Sequence, residues 1–232
     1  MSKRCWWMAV AIVAGLGSIV KASAQEQISP EQRQNVVKKL LDVIKRPPFY
    51  ALDWHTLKLV APDQESVRLL KDALNRSRRS KIDIKVQSLW IDAAAGHPEA
   101  ALSFHDANVI DHPDDKTLPN AACWARAAHG FDLKNAVSIC NAALAVDRKS
   151  HTLIFRGMVQ LQVGNFNEAL RDFDEAIGDS KLLARWIAID AVFGRGIARV
   201  RLGDENGRRD IKAAIQADDR VVTRFGDIGI SE

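Results

Sequence analysis

The sequence predicts an all-α fold built from short helix–turn–helix hairpins repeated along the chain. Gly157, Gly164, Phe166, Ala169, Phe173 and Ala176 fall within one 20-residue window. Their spacing suits close contact between two helices joined by a tight turn. Gly164 stands where a left-handed turn residue is needed, and Ala169, Phe173 and Ala176 share one face of the second helix. The same small–large–small face recurs as Ala100/Phe104/Ala107, Ala136/Cys140/Ala143 and Gly207/Ile211/Ala214, the four starts lying 36, 33 and 38 residues apart. The first helices agree: Gly157 and Gly164 match Gly196 and Gly203, with Cys123 and Gly130 upstream and Ser88 and Gly96 as weaker counterparts in the first unit. A helix pair this short cannot bury its apolar stripe alone, so a repeat of this length implies stacked neighbours.

The chain opens with Lys3 and Arg4, an apolar run from Cys5 to Val20, and Ala22, Ser23, Ala24 ahead of Gln25. This reads as a secretory signal peptide, residues 1–24, cleaved after Ala24. The rival, an uncleaved anchor, has only the 16 residues Cys5–Val20, below the roughly 17 to 25 that a spanning helix needs. Cleavage removes Lys3, Arg4, Lys21 and no carboxylate, so the formal charge falls from +4 to +1 and 208 of 232 residues remain. A near-neutral mature chain argues against nucleic acid as a partner. The expected product is exported, free of the membrane after cleavage, and located in an oxidising compartment such as a bacterial periplasm.

Residues 25–80 read as an N-terminal helical cap. Ser29, Pro30 and Gln32 supply an N-cap, a first-turn proline and a capping-box partner for a helix carrying Val36, Val37, Leu40, Leu41 and Ile44. Pro47 and Pro48 stop it, a loop with Phe49, Tyr50, Trp54 and Leu57 follows, and Val67, Leu70 and Leu74 mark a second helix within Asp63–Arg78. Residues 81–217 hold about four repeats, and 218–232 a C-terminal cap, with a short helix near Asp219–Phe225, and a tail loosened by Gly226 and Gly229. Terminal units of this kind cover the apolar flanks that an array of repeats exposes at its ends.

The repeat pattern resembles the tetratricopeptide repeat over about residues 81–217. The unit Ser150–Gly178 carries it best, with Leu153 at the usual Trp position and Gly157, Ala169 and Phe173 in place, although Arg156 and Gln160 replace the Leu and Tyr and the late Pro is absent. The resemblance implies a right-handed α-solenoid whose concave groove, lined by the first helix of each pair, takes an extended peptide or a partner helix. Carried over by register, the groove candidates are Asn120, Trp124, Ile154, Met158, Gln162, Phe193, Ile197 and Arg201, each as compatible with core packing as with the groove. The Lys and Asn set by which chaperone-type members hold a terminal carboxylate has no equivalent here. A mostly apolar groove with Trp124 and Met158 suits a hydrophobic or helical segment.

Few residues suggest other chemistry. Cys123 and Cys140, the two cysteines left after processing, fall at one height of an antiparallel hairpin. They read equally as a structural disulfide or as two buried thiols. His105, Asp106, Asp111 and His112 cluster, but Pro113 ends the helix and no second-helix ligand is evident, so no metal and no cofactor is expected. Arg195 and Arg199 are spaced to hold an anion, yet neighbouring Asp204, Glu205 and Asp210 favour a mutually paired surface. No catalytic residue is assigned. The leading expectation is a non-enzymatic adaptor for a protein or peptide. The alternatives are an enzyme or subunit with a site around Asp53, Trp54 and His55, or a self-associating spacer, with the oligomeric state open.

Overall fold

The computed structural model describes residues 28–45, 52, 54–178 and 185–231. The expected signal segment 1–24 lies outside them, as do Pro47, Pro48, Phe49, Tyr50 and Asp53. Among the described residues the chain forms twelve helices and no strand: α1 (Pro30–Lys45), α2 (Trp54–Val60), α3 (Gln64–Asn75), α4 (Lys81–Ala94), α5 (Glu99–Asp111), α6 (Leu118–Ala127), α7 (Leu133–Val146), α8 (Ser150–Gln162), α9 (Phe166–Gly178), α10 (Arg185–Arg201), α11 (Gly207–Ala217) and α12 (Arg220–Gly226). None of them is long and apolar enough to cross a membrane.

Local chemistry sets the helix ends. At α1 the Ser29 N–H donates to Gln32 Oε1 at 2.7 Å and the Gln32 N–H to Ser29 Oγ at 3.2 Å, a reciprocal capping box. Asp63 caps α3 by accepting from the Ser66 N–H at 2.8 Å, and Ser80 caps α4 by accepting from the Asp83 N–H at 3.1 Å. Gly96, Gly130, Gly164 and Gly203 follow α4, α6, α8 and α10 with φ of +97°, +69°, +81° and +85°, so one left-handed residue turns the chain after the first helix of each pair. Asp132, at φ +48°, is the sole non-glycine in that region among the described residues. Its carboxylate accepts from Arg126 Nε at 3.0 Å, and Asp tolerates this conformation better than most residues.

Consecutive helices pack on one another from α4 to α11, and α6 also touches α8, which touches α10. These three therefore form one row. The contact faces use the spaced small residues. A Cβ on Gly157 would lie 2.9 Å from Phe173 Cζ, and one on Gly194 would meet the same ring, so buried Phe173 wedges between α8 and α10 where neither has a side chain to oppose it. At the corresponding height of α6 and α7, Cys123 and Cys140 are joined as a disulfide, with Cα atoms 4.7 Å apart. Gly196 meets Ile211 and the Gly207 carbonyl in the last pair.

The first pair departs from the expected register. Ala101 is buried while Ala100 and Ala107 are exposed. The small–large–small rule selects Ala100, Phe104 and Ala107, whereas the face through Ala101 continues with His105 and Asn108. The phase is settled by packing, because Ala101 joins Trp90, Ala93 and Ala125 in one apolar cluster.

Ionic clamps repeat with the hairpins. Arg156 donates to both carboxylate oxygens of buried Asp172 at 2.8 and 2.5 Å, and Arg195 to both of Asp210 at 2.8 Å. Each arginine precedes the helix-contact glycine, and each aspartate lies three residues past the small residue opening the second helix. Arg199 also donates to Asp210 at 2.9 Å and approaches Asp174 at 3.7 Å. The Arg195/Arg199 pair is thus engaged by the protein's own carboxylates.

Candidate functional site

Two features stand out where the ends of the chain meet the row α6, α8, α10. One is a cluster of aromatic rings around His129, in the turn after α6. Its ring centroid lies 4.2 Å from Trp54, 4.4 Å from Trp90 and 5.1 Å from Trp124, with Phe131 5.7 Å from Trp54 and His105 5.7 Å from Trp90. Both His129 nitrogens and Trp54 Nε1 are buried without a hydrogen-bond partner. Burial pushes the His129 pKa down to about 3, with the charges of His105 and Lys58 acting in the same direction. The neighbouring Ala128 carbonyl opposes this only weakly, since it makes no bond of good geometry to the ring. His105 is lowered too, first by burial and then by Arg126. His129 is therefore a neutral plate among rings at physiological pH.

The other feature is a seat at the turn ends of α6, α8 and α10, covered by the residues after α12. The α12 side chains Val221 and Phe225 are buried, Phe225 packing edge-on against Phe193 at 4.9 Å, and Arg224 anchors the helix on buried Asp190, donating from Nε at 3.0 Å. Beyond α12 the chain turns through Gly229 (φ +78°) and buries Ile228 and Ile230. Ile228 Cα lies 3.6 Å from where a Cβ on Gly130 would stand, so the bare glycine admits the tail's backbone. Arg201 Nη2 donates to the Ser231 carbonyl at 2.9 Å. Leu161, Gln162, Ile197, Arg201, Ile230 and Ser231 line a cavity of about 270 Å³ beneath this tail.

A polar latch joins the two ends. Asp227 accepts from His55 Nδ1 at 3.1 and 3.2 Å across 172 residues of sequence, and Lys58 Nζ donates to its carbonyl at 2.9 Å and lies 3.5 Å from Oδ1. Asp227 is largely shielded, whereas His55 and Lys58 are about one-third exposed. At the other side of the seat, Gln162 Nε2 donates to the carbonyls of Ala127 at 3.3 Å and Met158 at 3.2 Å, while its Oε1 is buried with no partner.

The groove candidates are therefore distributed unevenly. Ile154, Met158, Phe193 and Ile197 are buried in the core cluster that includes Val221, Phe225, Ile228 and Ile230, and Phe193 packs on Phe225 from the chain's own end. Trp124 belongs to the ring cluster, and Asn120 accepts from Thr152 Oγ1 at 2.7 Å. Gln162, Ile197 and Arg201 border the cavity. Of the residues read as a possible enzyme site, Trp54 is one of the stacked rings and His55 is half of the latch. Asp106 is held by Arg126 at 2.8 Å, His112 caps α5, and among the described residues no group of three or more His, Cys, Asp or Glu is placed to hold a metal. Sequence reasoning passed over His129 and Asp227, whose partners come from opposite ends of the chain; Gly226 and Gly229 flanking Asp227 were read only as loosening. Comparison with protein-family models, curated proteins and solved structures finds no match to this chain.

Proposed function

We propose that the protein is an exported, tetratricopeptide-like adaptor, a right-handed α-solenoid with capped ends, which holds a segment of another protein and carries out no reaction itself. One observation supports this above the others: the seat at the ends of α6, α8 and α10 is covered by a short tail, of which Gly229, Ile230 and Ser231 border a cavity of about 270 Å³, fastened by a latch whose His55 and Lys58 are about one-third exposed. A face with only a light cover suits exchange of one peptide segment for another. The buried carboxylates Asp172 and Asp190 are each engaged by an arginine, which suits scaffolding better than acid–base work. Export rests on the signal-like opening of the sequence and places the chain where the Cys123–Cys140 bond persists.

Photocrosslinking in the native cell tests the reading. Benzoylphenylalanine in place of Phe166, which borders the cavity, is expected to give a discrete adduct with another protein. The same probe at exposed Ile110 on α5 is expected to give none. Equal labelling from both positions, or none from Phe166, counts against the adaptor. Sequencing the mature N-terminus checks export, the expected first residue being Gln25.

A further inference from the structure

The tail at residues 227–231 leaves one requirement of its seat unmet. Its amides are spent on its own helix: the Asp227 N–H donates to the Thr223 carbonyl at 2.9 Å, Ile228 to Phe225 at 3.2 Å, Gly229 to Gly226 at 3.0 Å and Ile230 to Phe225 at 3.0 Å. None reaches Gln162 Oε1, which stays buried and unpartnered beside the position that a Cβ on Gly130 would fill, 3.0 Å away. A buried acceptor without a donor is costly. The pocket next to it, open to solvent on one side, leaves room beside Ile230.

We infer that residues 227–231 are an internal surrogate for the partner, occupying a seat built for an extended protein segment with an acidic residue followed by two apolar side chains. This rests on the adaptor reading above. The chemistry of the occupant follows from what the tail satisfies and what it does not. His55 and Lys58 take a carboxylate, as they take Asp227. Two apolar side chains fill the sites of Ile228 and Ile230, the second with room to be larger because the cavity borders it. Arg201 takes a backbone carbonyl. An extended segment, unlike a helix cap, keeps its N–H groups free and supplies the donor that Gln162 Oε1 lacks. That extra bond is the differential contact by which a partner displaces the tail, and the latch sets how often the seat is open.

The test is fluorescence anisotropy with a labelled Gly-Asp-Ile-Gly-Ile-Ser peptide and the full chain. Asp227→Ala unfastens the tail while leaving His55 and Lys58 in the seat, so it binds the peptide about tenfold more tightly than wild type. The peptide with Asn for Asp loses that gain. Gln162→Met, which keeps the volume but removes the acceptor together with the amide's bonds to the Ala127 and Met158 carbonyls, weakens binding to the unfastened chain several-fold. A second variant, Gly130→Cys/Ile228→Cys, places two Cβ atoms about 3.6 Å apart, within disulfide range. Oxidised, it binds no peptide, whereas Gly130→Cys and Ile228→Cys taken singly, under the same oxidising conditions that keep the Cys123–Cys140 bond, still bind it, which controls for the substitutions themselves. Equal affinity of Asp227→Ala and wild type, or peptide binding to the oxidised lock, overturns the inference. If these fail while the Phe166 adduct persists, the adaptor stands and binds elsewhere. If they succeed without any cellular adduct, the seat stands and the adaptor reading falls.

Discussion

His129 shows how much one side chain's chemistry is set by its neighbours. Packed against Trp54, Trp90 and Trp124 with both nitrogens buried, it resists protonation down to about pH 3, whereas an unfolded histidine takes its proton near pH 6.5. Between those values the unfolded chain binds one more proton than the folded chain, so stability falls as pH falls, by at most about 1.4 kcal/mol per unit from this group. Above about pH 6.5 both forms are neutral and the effect vanishes. His129→Leu removes this term, and urea unfolding at pH 7, 6, 5 and 4 is expected to show the wild type losing stability faster than the variant; parallel curves would refute the assignment. Phe173 poses a steric case. Gly194→Ala drives a methyl into its ring and should cost about 1–3 kcal/mol by overpacking. Phe173→Leu in the same chain should cancel part of that cost, a coupling readable from a double-mutant cycle.

At the scale of helices, two kinds of fastening serve the last three pairs at one shared position. The α8–α9 and α10–α11 pairs use glycine contact backed by Arg156–Asp172 and Arg195–Asp210, whereas α6–α7 uses the Cys123–Cys140 bond. Removing one partner of a clamp leaves a buried charge uncompensated. Arg156→Leu, which strands buried Asp172, is therefore expected to lose about 3 kcal/mol, and Arg156→Leu/Asp172→Leu distinctly less, measured by chemical denaturation. If the double variant is as unstable as the single one, packing and not charge explains the loss. For the covalent fastening, Cys123→Ala/Cys140→Ala should cost about 3 kcal/mol by the entropy of a loop this short, seen as a lower thermal midpoint that reductant no longer affects. These hairpins were legible in the sequence because their contacts join residues about 16 apart through one turn, so spacing alone records them: Gly157 with Phe173, Cys123 with Cys140, Gly196 with Ile211. The register of α5 was not, because the spacing rule favours Ala100, Phe104 and Ala107, while packing with Trp90 and Ala125 buries Ala101 instead.

Over the whole molecule, closure is the property that local spacing does not encode. His55 and Asp227 meet across 172 residues, and no periodicity within either segment records the partner. The groove candidates lie on α6, α8 and α10, and Ile154, Met158, Phe193 and Ile197 share one buried apolar cluster with Val221, Phe225, Ile228 and Ile230 from the end of the chain. Helical spacing identifies an apolar face without saying what covers it. The latch makes α2 and the tail a coupled unit, which hydrogen exchange reads directly. Lys58 and His55 sit on α2, Asp227 on the tail, and Trp54 ties α2 to the His129 cluster. Breaking the latch makes transient opening of both segments more frequent, with α2 still seated most of the time on its ring contacts, while α8, buried on nearly every side, keeps its protection. In Asp227→Ala, amides of 54–60 and of 228–230 are expected to exchange about tenfold faster together, a loss of roughly 1.4 kcal/mol in each opening energy, with Val159 and Leu161 unchanged. Acceleration confined to the tail would show that α2 is held by its ring contacts alone. Acceleration reaching α8 would show that the ends support the whole array.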